Sequence, residues 1–294
     1  MKPTSEHRTG GARGQPEDAP VPDFAAVILA GERAERDALR DHTGVACKAL
    51  LDIGGTPMIR RVIDALEHAD TVASIRLSGP SEACVAADAP LAALIAEGRA
   101  AWVAPGASPS TSADAMLRRV PGGQPALVTT ADHPLLDAGI VDRFCRDAAA
   151  TKCDVVIGLA PFDLVRATFP DLKKTVLRFR DGQYCGCNLF AFLTEDGRRM
   201  ADFWRRVERE RKKPLVVIGL LGLWAVLRYR MGWLTLDAAL SLLSRKVGLR
   251  VGAVILPFAH ASVDVDSVDD YLHLQRYTDA ARPPHDTFRP SDPR

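Results

Sequence analysis

Short apolar runs alternate with amphipathic segments through the first half of the chain. Uniformly apolar runs bounded by turn residues are typical of buried parallel strands, and apolar residues repeated every three to four positions indicate helices. The predicted strands lie at 24–29, 74–78, 101–104, 126–130 and 154–161. The predicted helices lie at 57–68, 90–97, 112–120 and 139–150. This alternation predicts an α/β fold with a doubly wound, mostly parallel sheet.

The pattern changes after residue 160. Two apolar stretches, 175–180 and 184–192, flank Asp181-Gly182, a dipeptide that favours a tight turn between antiparallel strands. A basic helix is predicted over 195–213, a strand over 251–257 and a last helix over 268–279. We therefore expect a β-hairpin and a helical insertion, at about 161–250, within a domain that spans 23–279.

The most apolar segment of the chain is 214–227, which is too short to span a bilayer. It is compatible with a buried core helix. It is also compatible with a helix that lies in a membrane interface, because Trp224, Tyr229 and Trp233 flank it and a cluster of cations precedes it. Those cations are Arg205, Arg206, Arg209, Arg211, Lys212 and Lys213. Peripheral contact of 205–233 with a membrane is therefore one of two open interpretations.

The composition argues against nucleic-acid binding and against a fold held by disulfides or zinc. The 294 residues carry a net charge of +1, so no broad basic surface for nucleic acid is expected. The six cysteines form no CxxC pair, which argues against a disulfide framework or a structural zinc site. Cys185 and Cys187 would share one face of a strand, and metal or redox use of this pair is a minor alternative.

Both chain ends are poor in apolar residues. Residues 1–22 contain no apolar run, so they do not resemble a signal peptide, and residues 280–294 contain four prolines. We predict disordered tails over 1–22 and 280–294, and a cytoplasmic location.

The first predicted strand leads into a loop that suits phosphate binding. Backbone N–H groups of a small-residue loop at Gly31 can turn toward a phosphate, and Arg36 can add a forked donor. Lys48 follows twelve residues later, before another apolar run. Alone, each feature is common, so the combination carries the prediction.

A second polar position follows the strand at 126–130. Asp132 is placed at the tip of that strand, and Pro134 restricts the backbone after it. Such a carboxylate suits Mg²⁺ held between protein and phosphates. The alternative is that Asp132 caps the next helix.

The residues from Val27 to Ile59 resemble the opening of the sugar-phosphate and molybdopterin-type nucleotidyltransferases, and most closely the MobA-like group. Those enzymes begin with Leu-Ala-Gly-Gly-x-Gly-x-Arg, followed by Lys-x-Leu-Leu-x-Ile-x-Gly-x-Pro-Met-Ile. The matching residues are Leu29, Ala30, Gly31, Arg36, Lys48, Leu50, Leu51, Ile53, Gly55, Pro57, Met58 and Ile59. Glu32 and Ala34 replace two loop glycines, which brings a carboxylate near the expected triphosphate.

The resemblance implies a Rossmann-like fold of the nucleotide-diphospho-sugar transferase type and a set of site residues. In that family, the aspartate at the position of Asp132 and a second carboxylate near the chain end hold Mg²⁺. Asp264 fits the second position best, and Asp266 is the neighbouring alternative. Asp266 could instead cap the last helix. Other implied contacts are Leu29, Ala30 and Gly31 to phosphates, Ser108 and Ser112 to the base, and Gly186 and Asn188 to the acceptor. Ser112 could instead cap the next helix, and Asn188 could be a buried strand residue with a structural role. Lys173, Lys174 and Arg178 are candidates for the acceptor phosphate, and the alternative is that they are solvated surface charges.

We therefore predict a Mg²⁺-dependent nucleotidyltransferase that moves a nucleotide monophosphate from a nucleoside triphosphate to a phosphorylated small molecule. Lys48, Arg36 and Asp132 are its predicted catalytic residues, and no protein nucleophile is needed. His133 has no predicted role, because a phosphate acceptor is already ionised. A non-catalytic nucleotide-binding regulator, motivated by the missing glycines, and a GT-A-type glycosyltransferase are the alternatives.

Overall fold

A computed structural model describes residues 21–31, 38–210 and 223–281. Within these residues, one large sheet of eight strands is flanked by helices on both faces. The strands are β1 Phe24–Leu29, β2 Asp52–Ile53, β3 Thr56–Pro57, β4 Val72–Ser78, β5 Ala101–Val103, β6 Ala126–Thr130, β7 Val155–Pro161, β8 Val176–Phe179, β9 Gly182–Phe192 and β10 Val251–Ile255. β2 and β3 form a separate two-stranded ribbon.

The helices connect these strands and cover the sheet. They are α1 Ala38–Thr43, α2 Met58–Glu67, α3 Glu82–Ala87, α4 Ala89–Ala96, α5 Pro109–Leu117, α6 Ala138–Ala150, α7 Phe162–Thr168, α8 Glu195–Arg198, α9 Met200–Glu210, α10 Leu223–Arg230, α11 Leu236–Val247 and α12 Val268–Ala281. Short 3₁₀ turns occupy Lys48–Leu50 and Ala259–Ser262.

The strand order of the large sheet is β10-β7-β9-β6-β1-β4-β5, with β8 paired to β9. β1 pairs in parallel with β4 on one side and β6 on the other, so the chain reverses its direction of winding between β1 and β6. In open α/β sheets, ligands bind beyond the carboxyl ends of the strands at such a reversal. Leu29 and Thr130 are the paired ends of β1 and β6, and we call the region beyond these two strand ends the cleft.

Burial on both faces explains why β1 is uniformly apolar. Phe24, Ala26 and Ile28 join one core cluster, and the intervening residues join a second cluster on the opposite face. α2 and α6 pack into the first cluster, and α5 and α9 into the second. The predicted doubly wound, mostly parallel sheet is confirmed.

The predicted hairpin is formed by β8 and β9, and β9 is also an internal strand of the large sheet. It runs antiparallel between β7 and β6 and so lies inside the main sheet. Its pairing with β6 covers only Phe190–Phe192, whereas its pairing with β7 starts at Tyr184. The 161–250 segment therefore supplies two strands of the main sheet, β8 and β9, as well as the helices α7 to α11.

Two helix predictions need correction. The helix predicted at 112–120 begins at Pro109, because the Ser108 side chain caps it and proline suits its first turn. In the described part of 214–227, α10 is not a buried core helix, since Trp224 is 75% and Leu227 45% exposed. Residues 211–222, which include Arg211, Lys212 and Lys213 of the cation cluster, lie outside the described residues, as do 1–20 and 282–294 of the predicted tails.

Candidate functional site

The phosphate-loop candidates lie at the carboxyl end of β1. Leu29 is buried and accepts a hydrogen bond from the amide of Ala131, 3.0 Å away, which joins the loops after β1 and β6. The Ala30 amide donates to Ser78 O at 2.8 Å, so it serves the sheet and not a phosphate. Gly31 is exposed at the cleft. Glu32, Ala34 and Arg36 lie outside the described residues.

Lys48 joins two carboxylates across the cleft. Its Nζ lies 2.8 Å from Oδ2 of Asp132 and 2.8 Å from Oδ1 of Asp266. Burial lowers the pKa of the lysine, but the two carboxylates outweigh it and hold the pKa above its usual value. The ammonium group therefore stays charged and occupies the space between Asp132 and Asp266.

Asp132 lies at the tip of β6, and its side chain caps no helix. Asp137 caps α6 instead, by accepting a hydrogen bond from the Ile140 amide at 2.8 Å. Burial raises the pKa of Asp132, but the nearby Lys48 prevails and lowers it overall, so the carboxylate is ionised. Its Oδ1 is buried and has no hydrogen-bond partner among the described residues. An ionised oxygen in that position can accept a further cation.

The Asp264–Asp266 segment lies beside Asp132 because the Val265 amide donates to Asp132 O at 3.0 Å. Val263 and Val265 are fully buried, so the alternating side chains of Asp264 and Asp266 lie on the opposite side of this extended segment. Asp266 does not cap the last helix. Ser267 and Asp270 form a reciprocal capping pair, with Ser267 Oγ accepting from the Asp270 amide at 3.2 Å.

Asp264 belongs to a second cluster. It forms an ion pair with Lys174 and accepts a hydrogen bond from Asn188 Nδ2 at 3.3 Å. The Lys174 side chain is only 7% exposed, whereas Lys173 and Arg178 are exposed and pair with Asp269 and Gln183. Of the three cations predicted for the acceptor phosphate, the structure thus brings one to the predicted site.

Asn188 has a backbone conformation that is rare outside glycine. Its φ is +50°, at an irregularity in the pairing of β9 with β7. Asparagine tolerates this left-handed region better than most residues, and such strain is concentrated at functional sites. Gly186, two residues earlier, pairs with Leu159, and a Cβ there would meet no atom within 4 Å. The predicted acceptor pair therefore borders open space near Asp264.

His133 follows Asp132 and is fully buried. Neither ring nitrogen has a hydrogen-bond partner among the described residues. Burial lowers the pKa of this histidine to about 4, against the opposing effects of Asp264 and Asp132, so the ring is neutral at pH 7. Cys185 and Cys187 are buried free thiols, and burial raises the pKa of both. These residues show none of the properties of a reactive nucleophile.

The two predicted base contacts, Ser108 and Ser112, organise a loop after β5. Ser112 Oγ accepts from the Gly106 amide at 2.9 Å, which closes the loop, and Ser108 Oγ caps α5. A Cβ on Gly31 would lie 3.4 Å from Pro105 Cβ, so this loop adjoins the end of β1. Sequence reasoning missed Glu208, which accepts hydrogen bonds from Ser108 and Ser110, because no local pattern marks it.

The observations suit a divalent cation bound between carboxylates and a polyanion. The ammonium of Lys48 already lies between two carboxylates, and one oxygen of Asp132 has no hydrogen-bond partner among the residues that the structure describes. Within the described residues, no group of three His, Cys, Asp or Glu side chains forms a complete metal cage. Mg²⁺ commonly needs only one or two carboxylates when phosphates complete its coordination, so the residues fit.

Comparison with known proteins is informative at the level of family and fold. Residues 26–170 match the family described as the MobA-like NTP transferase domain. No curated protein shows a significant match. A hypothetical transferase from Thermus thermophilus is 29% identical, with a TM-score of 0.70, and the alignment covers 85% of this chain and 99% of that one.

Two similar structures have known activities. A CMP:2-keto-3-deoxy-manno-octonic acid synthetase, complexed with CTP, is 12% identical with a TM-score of 0.54; the alignment covers 88% of this chain and 99% of that one. A 4-diphosphocytidyl-2C-methyl-D-erythritol synthase from Anaerococcus prevotii is 11% identical with a TM-score of 0.52, over 88% and 96%. At this identity the two structures establish the shared fold alone.

Proposed function

We propose that this chain is a Mg²⁺-dependent enzyme that transfers a nucleotide monophosphate from a nucleoside triphosphate to a phosphorylated small molecule. Its residues 26–170 match the MobA-like NTP transferase domain, which supports this proposal. The observation that carries the proposal is the Lys48 ammonium, held 2.8 Å from both Asp132 and Asp266 at the reversal point of the sheet. A lysine and two carboxylates suit the neutralisation of a triphosphate in a cleft.

In this reaction, an oxygen of the acceptor phosphate attacks the α-phosphorus of the triphosphate. The new P–O bond forms as the bond to the β-phosphate breaks, and pyrophosphate leaves with the electron pair. Lys48 stabilises the negative charge on the triphosphate, and Lys174 holds the acceptor phosphate. Mg²⁺, when bound at Asp132 with Asp264 or Asp266, supplies charge neutralisation at the phosphates. No protein group needs to remove a proton, because the acceptor is already ionised.

A screen of the four nucleoside triphosphates against phosphorylated alcohols and sugars tests this function. Pyrophosphate release that requires both substrates and Mg²⁺ is the expected result. A nucleotide-binding regulator would bind a triphosphate without releasing pyrophosphate. A glycosyltransferase would instead consume a nucleotide-activated sugar.

Replacing Lys48 with alanine should weaken the use of the triphosphate. A charge-assisted hydrogen bond to phosphate is worth about 1.5–3 kcal/mol, so we expect a roughly 10- to 100-fold loss in kcat/KM for the triphosphate. The Lys48 side chain is 23% exposed, and Asp132 and Asp266 also retain access to solvent, so folding should change little.

Lys173→Ala is the matched control, because Lys173 is an exposed lysine whose nearest carboxylate, Asp269, lies 3.4 Å away. Steady-state kinetics for both variants provide the measurement. Equal kinetic constants in Lys48→Ala and Lys173→Ala would remove Lys48 from the triphosphate site.

We also propose that α10 places this enzyme at the inner surface of an anionic membrane. Trp224, Leu227 and Met231 recur at helical spacing and, with Trp233, form an exposed apolar surface that we call the tryptophan patch. Their exposed fractions lie between 45% and 75%. Tyr229 faces the protein and accepts a hydrogen bond from the Arg178 amide at 3.2 Å, which anchors the helix to β8.

The charges beside the patch support contact with anionic lipid. Arg228 and Arg230 are exposed at the end of α10. Arg205 of the earlier basic cluster is instead engaged with Asp114 and Asp202, at 2.8 and 3.0 Å. No helix among the described residues is long and apolar enough to cross a membrane. We propose a peripheral contact, with the aromatic side chains of the tryptophan patch at the lipid interface.

Replacing Arg228 and Arg230 together with glutamine should weaken binding to anionic vesicles. Each arginine near the surface contributes about 1 kcal/mol, so the pair accounts for roughly a 30-fold change. Co-sedimentation with phosphatidylglycerol vesicles at low and high salt provides the measurement, and Leu272→Ser, an exposed apolar residue on α12, is the control. Absence of binding by the wild type at low salt would refute the membrane contact.

A further inference from the structure

The loop after β5, residues 105–112, is held by a carboxylate from a distant part of the chain. Oε2 of Glu208 accepts hydrogen bonds from Ser108 Oγ at 2.8 Å, from the Ser110 amide at 3.3 Å and from the Ser110 hydroxyl. We call residues 105–112 the serine loop. Because three donors converge on one charged oxygen at the start of α5, this contact also places negative charge where the helix dipole favours it.

The position of Glu208 is fixed by the packing of α9 against α5. Arg205, three residues earlier and thus on the same side of α9, donates to the buried Asp114 at 2.8 Å. Ser110 and Asp114 are four residues apart on α5, so they also share one side of their helix. Trp204 packs against Phe190, with the ring centroids 5.8 Å apart and the ring planes tilted by 34°. These contacts hold the Glu208 backbone in place before any ligand binds.

The serine loop borders the proposed nucleotide site. Its Pro105 adjoins Gly31 at the end of β1, and its own closure depends on the bond between the Gly106 amide and Ser112 Oγ. Without the Glu208 carboxylate, the hydroxyls of Ser108 and Ser110 would lose their charged acceptor, and the start of α5 would lose an anion. The serine loop would then adopt additional conformations that do not fit a base. Because ordering the loop on binding costs free energy, the affinity for the nucleotide would fall.

We propose that Glu208 is a positioning residue that holds the serine loop in the conformation that receives the nucleotide base. This inference rests on the proposed function, since it assumes that a nucleoside triphosphate binds in the cleft. Glu208 acts through Ser108 and Ser110 and need not touch the nucleotide. It also connects the insertion between residues 161 and 250 to the site formed by residues 26–170.

Direct binding measurements test this role without knowledge of the acceptor. Isothermal titration calorimetry with Mg²⁺ would compare GTP, CTP, UTP and ATP with inorganic tripolyphosphate, which has the phosphates but no base. The proteins are the wild type, Glu208→Ala, Glu208→Gln and Asp202→Asn. Asp202 is the control, because it is a half-exposed carboxylate on α9 that pairs with Arg205 and makes no contact with the serine loop.

We expect Glu208→Ala to weaken the best-bound nucleotide about tenfold, with tripolyphosphate affinity unchanged. Glu208→Gln should recover part of that loss, because its amide oxygen still accepts from the serines. Asp202→Asn should bind like the wild type.

Two results would overturn the inference alone. One is nucleotide affinity unchanged in Glu208→Ala, and the other is an equal loss for nucleotide and tripolyphosphate, which would indicate general damage to the fold. A wild type that binds no nucleoside triphosphate would overturn the proposed function and this inference with it.

Discussion

Asp132→Asn should abolish turnover while the protein stays folded. The carboxylate lies at the tip of β6 and shares the Lys48 ammonium with Asp266, and its Oδ1 has no hydrogen-bond partner within the described part of the chain. Asparagine keeps the size of the side chain but removes the charge that would bind Mg²⁺ and orient Lys48. Loss of a ligand from such a site costs on the order of several kcal/mol of transition-state stabilisation, or roughly a thousandfold or more in rate.

Pyrophosphate release and thermal melting measured on the same preparation provide the test. Asp64→Asn is a matched control, since Asp64 is a partly exposed carboxylate on α2 that pairs with Arg60. Near-normal turnover of Asp132→Asn, with a normal melting curve, would show that this aspartate binds no essential metal. A collapsed melting curve would be followed by Asp132→Glu, which keeps the charge and should retain some metal binding.

Replacing Asp266 or Asp264 with asparagine should also cause a large loss of turnover, and metal binding should distinguish the two variants. Asp266 and Asp132 both form ion pairs with Lys48. Asp264 instead forms an ion pair with Lys174 and accepts a hydrogen bond from Asn188. We expect both asparagine variants to lose at least about a hundredfold in turnover, but for different reasons. Asp266→Asn should weaken metal binding, and Asp264→Asn should release Lys174 and disturb the acceptor side.

Mn²⁺ binding in the presence of triphosphate, followed by electron paramagnetic resonance, separates the two. Weak Mn²⁺ binding by Asp266→Asn and normal binding by Asp264→Asn is the expected result. The opposite pattern would assign the metal to Asp264, as the sequence resemblance predicts. Asp269→Asn, an exposed carboxylate at the start of α12, serves as the control.

Much of the fold could be predicted because the buried strands carry strong local signals. β1 and β6 were predicted at their observed bounds, since both faces of each are buried and the sequences are uniformly apolar. The start of α5 was misjudged because two serines in one short segment can each cap a helix. Only the structure shows that Ser108 caps it, while Ser112 closes the preceding loop.

The candidate site was predictable where chemistry coincides with a strand end, as at Lys48 and Asp132. Which carboxylate faces which cation was not, since Asp264 and Asp266 lie two residues apart on one side of an extended segment. Asp266 pairs with Lys48, and Asp264 pairs with Lys174. Both lysines come from distant parts of the chain, so the local sequence does not show which role each aspartate takes. Glu208 was missed for the same reason: its partners lie about a hundred residues away, and its role depends on the packing of α9 against α5.

The fate of the α-phosphate tests the central claim most directly. The wild-type enzyme would be incubated with Mg²⁺, a phosphorylated acceptor identified by the substrate screen, and the preferred triphosphate labelled with ³²P at the α- or the γ-position. We predict that α-label appears in a product that joins nucleotide and acceptor through a diphosphate, while γ-label appears in pyrophosphate. Both label transfers should be absent in Asp132→Asn. Appearance of γ-label as inorganic phosphate or on the acceptor, with α-label left in a nucleoside diphosphate, would contradict nucleotidyl transfer.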